Sequence, residues 1–318
     1  MPVFSPQNEV GLTDPARDII AGWVMQDEPD NAQRRESGKG FGPPVAPKVV
    51  ISRYQEIKSR DASRPVLLNL GQGVAWDGWY GRGVRTNHPE DYEDYVKAGD
   101  IVSFDIYPAT HDNPALRGRL DLVAKGVGRL VNWTDGKKPV WSVIGASHVD
   151  NAAVLPTGNQ IRNMVWLSIV HGARGIIYFV HEFSPRFSEA GLLNHPGLMD
   201  AVTRINARIT GLARVLNSPD IRNAVTVTLL PEPSGAARGS VSVLVKETDC
   251  HLYIFAGSRS GFPARADFSL AAGRNYDKAE VLDENRTIAI EDGRFIDEFD
   301  PYAVHLYRLA LQGAICSG

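Results

Sequence analysis

The sequence predicts an α/β chain: an incomplete TIM (β/α)8 barrel of about six β/α units over residues 1–218, then a small antiparallel β-sandwich over 219–318. Three observations predict it. Up to about Leu216, short apolar runs alternate with amphipathic stretches, the pattern of parallel strands joined by helices. Beyond Pro219 the apolar period drops to two, with turn residues between short runs, as in stacked antiparallel sheets. The 318 residues suffice for a barrel-sized unit with an appendage.

The elements follow in order. Ile19 to Met25 (IIAGWVM) reads as a buried strand, and the Gly- and Pro-rich stretch from Arg35 to Pro47 as a long loop. Val49 to Ser59 is expected to be a helix, Pro65 to Leu70 a strand, and Gly71 to Pro89 a second long loop. A short helix over Asp91–Ala98, a strand over Ile101–Tyr107 and a long helix over Ala115–Trp133 come next. Pro139–Ile144 and Gly175–Val180 complete five strands, with helices over Thr157–His171 and Pro196–Leu216. Met1 to Phe4 reads as the stub of one earlier strand. A closed barrel of this class needs eight, so the chain is expected to begin inside the fold. Its open strand edges would then invite pairing with another copy, and a homodimer covering the gap is the expected partner arrangement. In the second domain seven strands are expected, between Ala224 and Arg308, punctuated by turn residues such as Pro231, Gly235, Gly261 and Gly293.

Composition narrows the function. Hydrophobic residues make up 43%, charged residues 22%, and the formal net charge is -3 with no long basic block, so neither nucleic acid nor an anionic membrane is the expected partner. Two cysteines, Cys250 and Cys316, make no disulfide framework. No run of eighteen apolar residues occurs and no signal peptide is visible. GxSxG, GxGxxG and P-loop motifs are absent, which removes the motif signals for a serine-hydrolase elbow or a nucleotide site.

In such a barrel, chemistry sits just past the strands. Past the first full strand stand Asp27, Glu28 and Asp30. A general acid belongs there, although a solvated acidic turn would look the same. Asn69, Asp105 and Tyr107 lie at the next strand ends, where short polar groups either face a wet mouth or hold loops together. Trp76, Trp79 and Tyr80 in the second long loop, with Trp141 in PVWSVI, suit stacking on an apolar ligand face or plain packing. After Ile144 comes Gly145, with no carboxylate; after Val180 come His181 and Glu182. His181, His148 and Asp105 carry metal-type donors but match no ligand spacing, so neither metal nor cofactor is expected.

The segments GWVMQDEPDNAQ, FDIYP, KPVWSVI, VWLSIVHGARGIIYFVHEFSPRF and ENRTIAIEDGRFIDEFDPYAVHLY together resemble bacterial (β/α)8-barrel glycoside hydrolases of the clan that includes β-galactosidases and cellulases. The resemblance implies a carbohydrate substrate with β-linked sugars and assigns Glu28 as acid/base at the fourth strand. The visible strands then number three to eight, with strands one and two missing. It places the nucleophile at the seventh strand end, where this chain has Gly145. Glu182 and Asp105 are the candidates to replace it. Asp27, Asn69, Trp76, Tyr107, Trp141 and His181 would bind substrate. A catalytically inactive carbohydrate-binding barrel or truncated relic is the alternative that Gly145 leaves open.

Overall fold

The computed structural model describes residues 1–183, 186–231, 239–248, 250–272 and 275–311; Gly235 and Cys316 lie outside them. Two compact units divide the chain. One comprises Met1–Tyr107, Lys125–Ile144 and Gly172–Tyr178; the other comprises Pro108–Ala124, Gly145–His171 and Phe179–Gly318.

The first unit is built on a parallel half-barrel sheet of six strands in sequence order: β1 (Val3–Pro6), β2 (Ile20–Val24), β3 (Val66–Leu70), β4 (Ile101–Asp105), β5 (Val140–Gly145) and β6 (Gly175–Phe179). The stub at Met1–Phe4 is thus a true strand, paired in parallel with β2. The runs are nearly continuous apolar stretches because a parallel sheet is covered on both faces: Val66, Leu68 and Leu70 are fully buried. The sheet curls until the ring of Phe4 on β1 meets Trp141 on β5 edge-on, 5.2 Å between centroids. Two glycines make this approach feasible. A Cβ on Gly22 would lie 2.2 Å from the Phe4 ring, and one on Gly175 would lie 2.5 Å from Trp141. β1 and β6 are the two edges of the sheet.

Around this sheet stand α1 (Glu9–Thr13), which Asn8 caps, α2 (Pro47–Arg60), α3 (Tyr92–Tyr95) and most of α4 (Asp121–Trp133). Pro47 opens α2 at a position where its missing N–H is no loss. Asp100, just before β4, accepts hydrogen bonds from Tyr54 Oη (2.7 Å), Lys58 Nζ (3.1 Å) and the Val66 N–H (2.9 Å), fixing α2 against β3 and β4. Trp133 of α4 stacks on Tyr92 of α3. The helix expected from Ala115 starts only at Asp121, because Gly118 takes a left-handed backbone (φ 83°) and Arg117 Nε binds the His111 carbonyl. The helix expected over Asp91–Ala98 is α3 followed by a 3-10 turn, Val96–Ala98.

The second unit carries α5 (Gly158–Val170), α6 (Pro196–Gly211), α7 (Ala213–Leu216) and two antiparallel sheets. Thr157 and Gln160 close a reciprocal capping box on α5. The helix expected over Pro196–Leu216 breaks at Leu212 into α6 and α7. The strands are β7 (Val225–Leu229), β8 (Val241–Glu247), β9 (His251–Ser258), β10 (Ala264–Leu270), β11 (Lys278–Val281), β12 (Arg286–Ala289), β13 (Arg294–Phe299) and β14 (Val304–Ala310). They form a three-stranded sheet, β13-β10-β7, and a five-stranded one, β12-β11-β14-β9-β8. Phe268 and Phe295 from the first, with Ile254 and Tyr307 from the second, share one core. Trp166 of α5 stacks on Phe255 of β9, and Asn163 Nδ2 binds the carbonyls of Ser258 and Tyr302 at 2.9 Å each. Seven strands were expected here and eight are described. In the additional one, β13, the polarity runs against the usual rule: Ile296 faces out, while Asp297 is buried and paired with Arg286 and Tyr307.

Candidate active site

Adjacent strands β2, β3 and β4 bring their C-terminal ends side by side. The chain leaving β2 keeps pairing with β3 through Met25 N–H to Leu67 O (2.9 Å) and Glu28 N–H to Asn69 O (3.2 Å). It then turns sharply at Glu28, which adopts a left-handed backbone (φ 42°). Such a conformation in a residue with a long side chain costs about 1 kcal/mol and persists only when its surroundings impose it. Asp30, two residues on, supplies the anchor. It is fully buried and accepts from the Gly71 N–H (2.9 Å) and Tyr92 Oη (2.7 Å). Arg82, also buried, binds the Asp30 carbonyl (3.3 Å) and Asp91 (2.7 Å), with its guanidinium 4.7 Å over the Tyr92 ring. Burial pushes the Asp30 carboxyl up, against the opposing pull of Tyr92, Gly71 and Arg82.

On this turn, half-buried Glu28 meets Asp105 at the end of β4, and the two carboxyl groups hydrogen-bond to each other. Burial first, then the Asp105 charge, raises the Glu28 carboxyl far above its ordinary range, which favours its protonated form. Burial raises Asp105 as well, opposed by its hydrogen bonds from Glu28 and Tyr107. Tyr107 Oη donates to Asp105 at 2.7 Å. Asn69 Nδ2 points to Asp27 (2.9 Å) and Asp105 (3.4 Å), while Ser103 Oγ donates to Asn69 Oδ1 (2.7 Å) and sets the amide's orientation. On the far side, Trp79 Nε1 donates to Asn31 Oδ1 (2.8 Å) and Asn31 Nδ2 to Glu28 Oε2 (2.7 Å). The result is a pair of neighbouring carboxyl groups, both pushed toward the protonated form and set in a chain of oriented donors.

The structure therefore brings together Glu28, Asp27, Asn69, Asp105 and Tyr107. Trp76 lies in the loop after β3 with its ring 5.9 Å from that of Trp79. Trp141 is partly buried and packs against Phe4 and Gly175. Gly145 ends β5, buried. His181 and Glu182 belong to the second unit. The His181 ring sits among Phe179, Phe183 and Phe187, and Glu182 Oε2 lies 2.8 Å from His195 Nε2, which holds the Glu182 carboxyl below its usual range. Asn31 and Ser103 are the site residues that sequence reasoning missed. An amide three residues past the glutamate was visible in DEPDN, but nothing in the spacing showed that it would turn back.

No family model and no curated protein matches the chain. Among solved structures, it is similar to an exo-carrageenase GH42 from Bacteroides ovatus, with a TM-score of 0.52 at 10% identity over 84% of this chain and 56% of that one. It is also similar to an α-amylase from Geobacillus thermoleovorans (TM-score 0.47, 13% identity, 91% of this chain and 60% of that one). A third is a GH30 endoxylanase from Clostridium papyrosolvens (0.46, 13%, 96% and 72%). At these identities the likeness is one of fold. The chain spans under two thirds of the length of the carrageenase and of the amylase.

Proposed function

We propose that this chain is a glycoside hydrolase in which Glu28 is the general acid. The observation that carries it is the Glu28–Asp105 pair, two neighbouring carboxyl groups, both pushed toward the protonated form, at the C-terminal ends of parallel strands. Glycoside cleavage needs a carboxyl group that is still protonated near neutral pH, placed against the leaving oxygen. Burial and the Asp105 charge keep Glu28 in that state, and Asn31 orients it. Asp105 holds the proton in place until the leaving oxygen takes it. Glu28 and Asp105 act on each other's proton directly, whereas the two catalytic carboxyls of retaining and inverting enzymes stand roughly 5–9 Å apart with the sugar between them. Asp105 therefore serves as the proton's partner rather than as the nucleophile. Asp27, Asn69, Tyr107 and Trp76 line the same strand ends and their loops and would meet the sugar. Trp141 packs against Phe4 and Gly175, and His181 belongs to the second unit, so this set does not include them.

Within this reading the substrate is β-linked. The chain is a barrel of the β-galactosidase and cellulase clan lacking the first two strands, with a division at 218/219 and a C-terminal sandwich. A homodimer covers the opening between β1 and β6. One observation favours a second reading: β5 ends in buried Gly145, with no side chain to attack the sugar from the opposite face. A carbohydrate-binding barrel without turnover would have this feature. Incubation with aryl β-glycosides and calorimetry with the matching oligosaccharides separate the two. Release of phenol from a phenyl glycoside, lost in Glu28→Gln, supports the hydrolase; sugar binding without release at any pH supports the binding protein.

A further inference from the structure

We propose that His148, Glu182 and His195 form a binding site for a divalent metal ion of the zinc type. One ligand atom from each lies within 4.8 Å of the others. The three come from separate stretches of the second unit: the segment after β5, the segment after β6, and the residue preceding α6. His195 Nε2 stands 2.8 Å from Glu182 Oε2, and the two imidazoles meet edge-to-face with centroids 5.4 Å apart.

Two observations go beyond a simple histidine–carboxylate pair. Nδ1 of His148 is buried without a hydrogen-bond partner, and a buried polar atom left unmatched is one that a ligand or ion would satisfy. The carboxylate is also presented rigidly. Glu182 exchanges backbone hydrogen bonds with Ser188 (2.9 and 2.8 Å), and the Gly191 N–H binds the Val180 carbonyl (2.8 Å). A Cβ on Gly191 would lie 2.6 Å from that of Glu182, so only glycine lets this turn close over the acid. Ser147 Oγ, donating to the His181 carbonyl at 2.5 Å, ties the β5 segment to the β6 segment next to His148.

The donor set fits. Two imidazoles and one carboxylate are ligands that zinc takes when it keeps a further position for water. Tetrahedral bonds of about 2.0–2.1 Å put donor atoms roughly 3.3 Å apart. The donors, now within 4.8 Å of one another, would have to draw in toward that spacing around an ion. The proposal gives Glu182 a ligand's role, and it stands or falls independently of the chemistry assigned to Glu28.

The test is a calorimetric titration of chelator-treated, dialysed protein with Zn2+, run on wild type, His148→Gln and His195→Gln. The expected result is one Zn2+ per chain, a higher thermal midpoint with Zn2+ in wild type, and affinity roughly 100-fold or more weaker in each variant. X-ray absorption of zinc-loaded wild type reads the ligands directly, whether or not the variants fold. Two imidazoles with oxygen donors support the site. Absence of binding in wild type, wild-type affinity in both variants, or a zinc shell without histidine overturns it.

Discussion

Glu28 concentrates the costs of this molecule in one residue: a left-handed backbone, partial burial and a neighbouring carboxylate. Its folded-state pKa is raised, so the native state binds a proton that the unfolded chain has given up. Stability then falls as pH rises from about the ordinary glutamate value of 4.5 through neutrality. Glu28→Gln removes that burden while keeping a donor toward Asp105. It is expected to raise the melting temperature by roughly 2–4 °C at pH 8 and by much less at pH 5. Equal effects at both pH values in thermal unfolding would refute the assigned proton. Asp105→Asn removes the charge that, after burial, does most to raise Glu28. The alkaline limb of the pH–activity profile should then move down by about one pH unit or more; an unmoved limb would break the link between the two carboxyls.

Elements explain how far the sequence could be read. Five of the six parallel strands were legible because each is a short apolar run between turn signals; β1 showed only as a stub at Met1 to Phe4, two residues ahead of the strand itself, Val3–Pro6. Asp27, Glu28, Asn69, Asp105 and Tyr107 were legible because position past a strand is a local property. Less so was whatever depends on the third dimension. Trp141 read as a sugar platform, but Phe4 reaches it across the curl. β13 hid because its acid faces the core, matched by Arg286 from another strand. The histidines flanking Glu182 went unread as a set because they come from separate segments with no ligand spacing. The curl itself can be tested. In Gly22→Ala a methyl group would meet the Phe4 ring, costing about 1–3 kcal/mol as overpacking does. Denaturant unfolding should show that loss, and an unchanged midpoint would mean that Phe4 does not cross Gly22 in solution.

The molecule as a whole combines a half-barrel sheet that has two edges, β1 and β6, with a second unit of helices and two antiparallel sheets sharing one core. Exposed strand edges favour pairing with another chain, and Val3 and Ile19 near the β1 edge are exposed. Light scattering coupled to size exclusion is expected to give a dimer; a monomer across the accessible concentration range would show that the edges are satisfied within one chain. Among the described residues, no helix is long and apolar enough to cross a membrane. The central claim is proton donation by Glu28, and the most direct measurement compares Glu28→Gln with wild type on two β-glycosides of the same sugar, one phenyl and one dinitrophenyl. A dinitrophenolate leaves without a proton, whereas a phenolate needs one. The expected outcome is a loss of roughly 10²–10⁴-fold on the phenyl glycoside with near-wild-type turnover of the dinitrophenyl glycoside. Equal turnover of both substrates by wild type and variant would contradict the assignment of Glu28 as the acid.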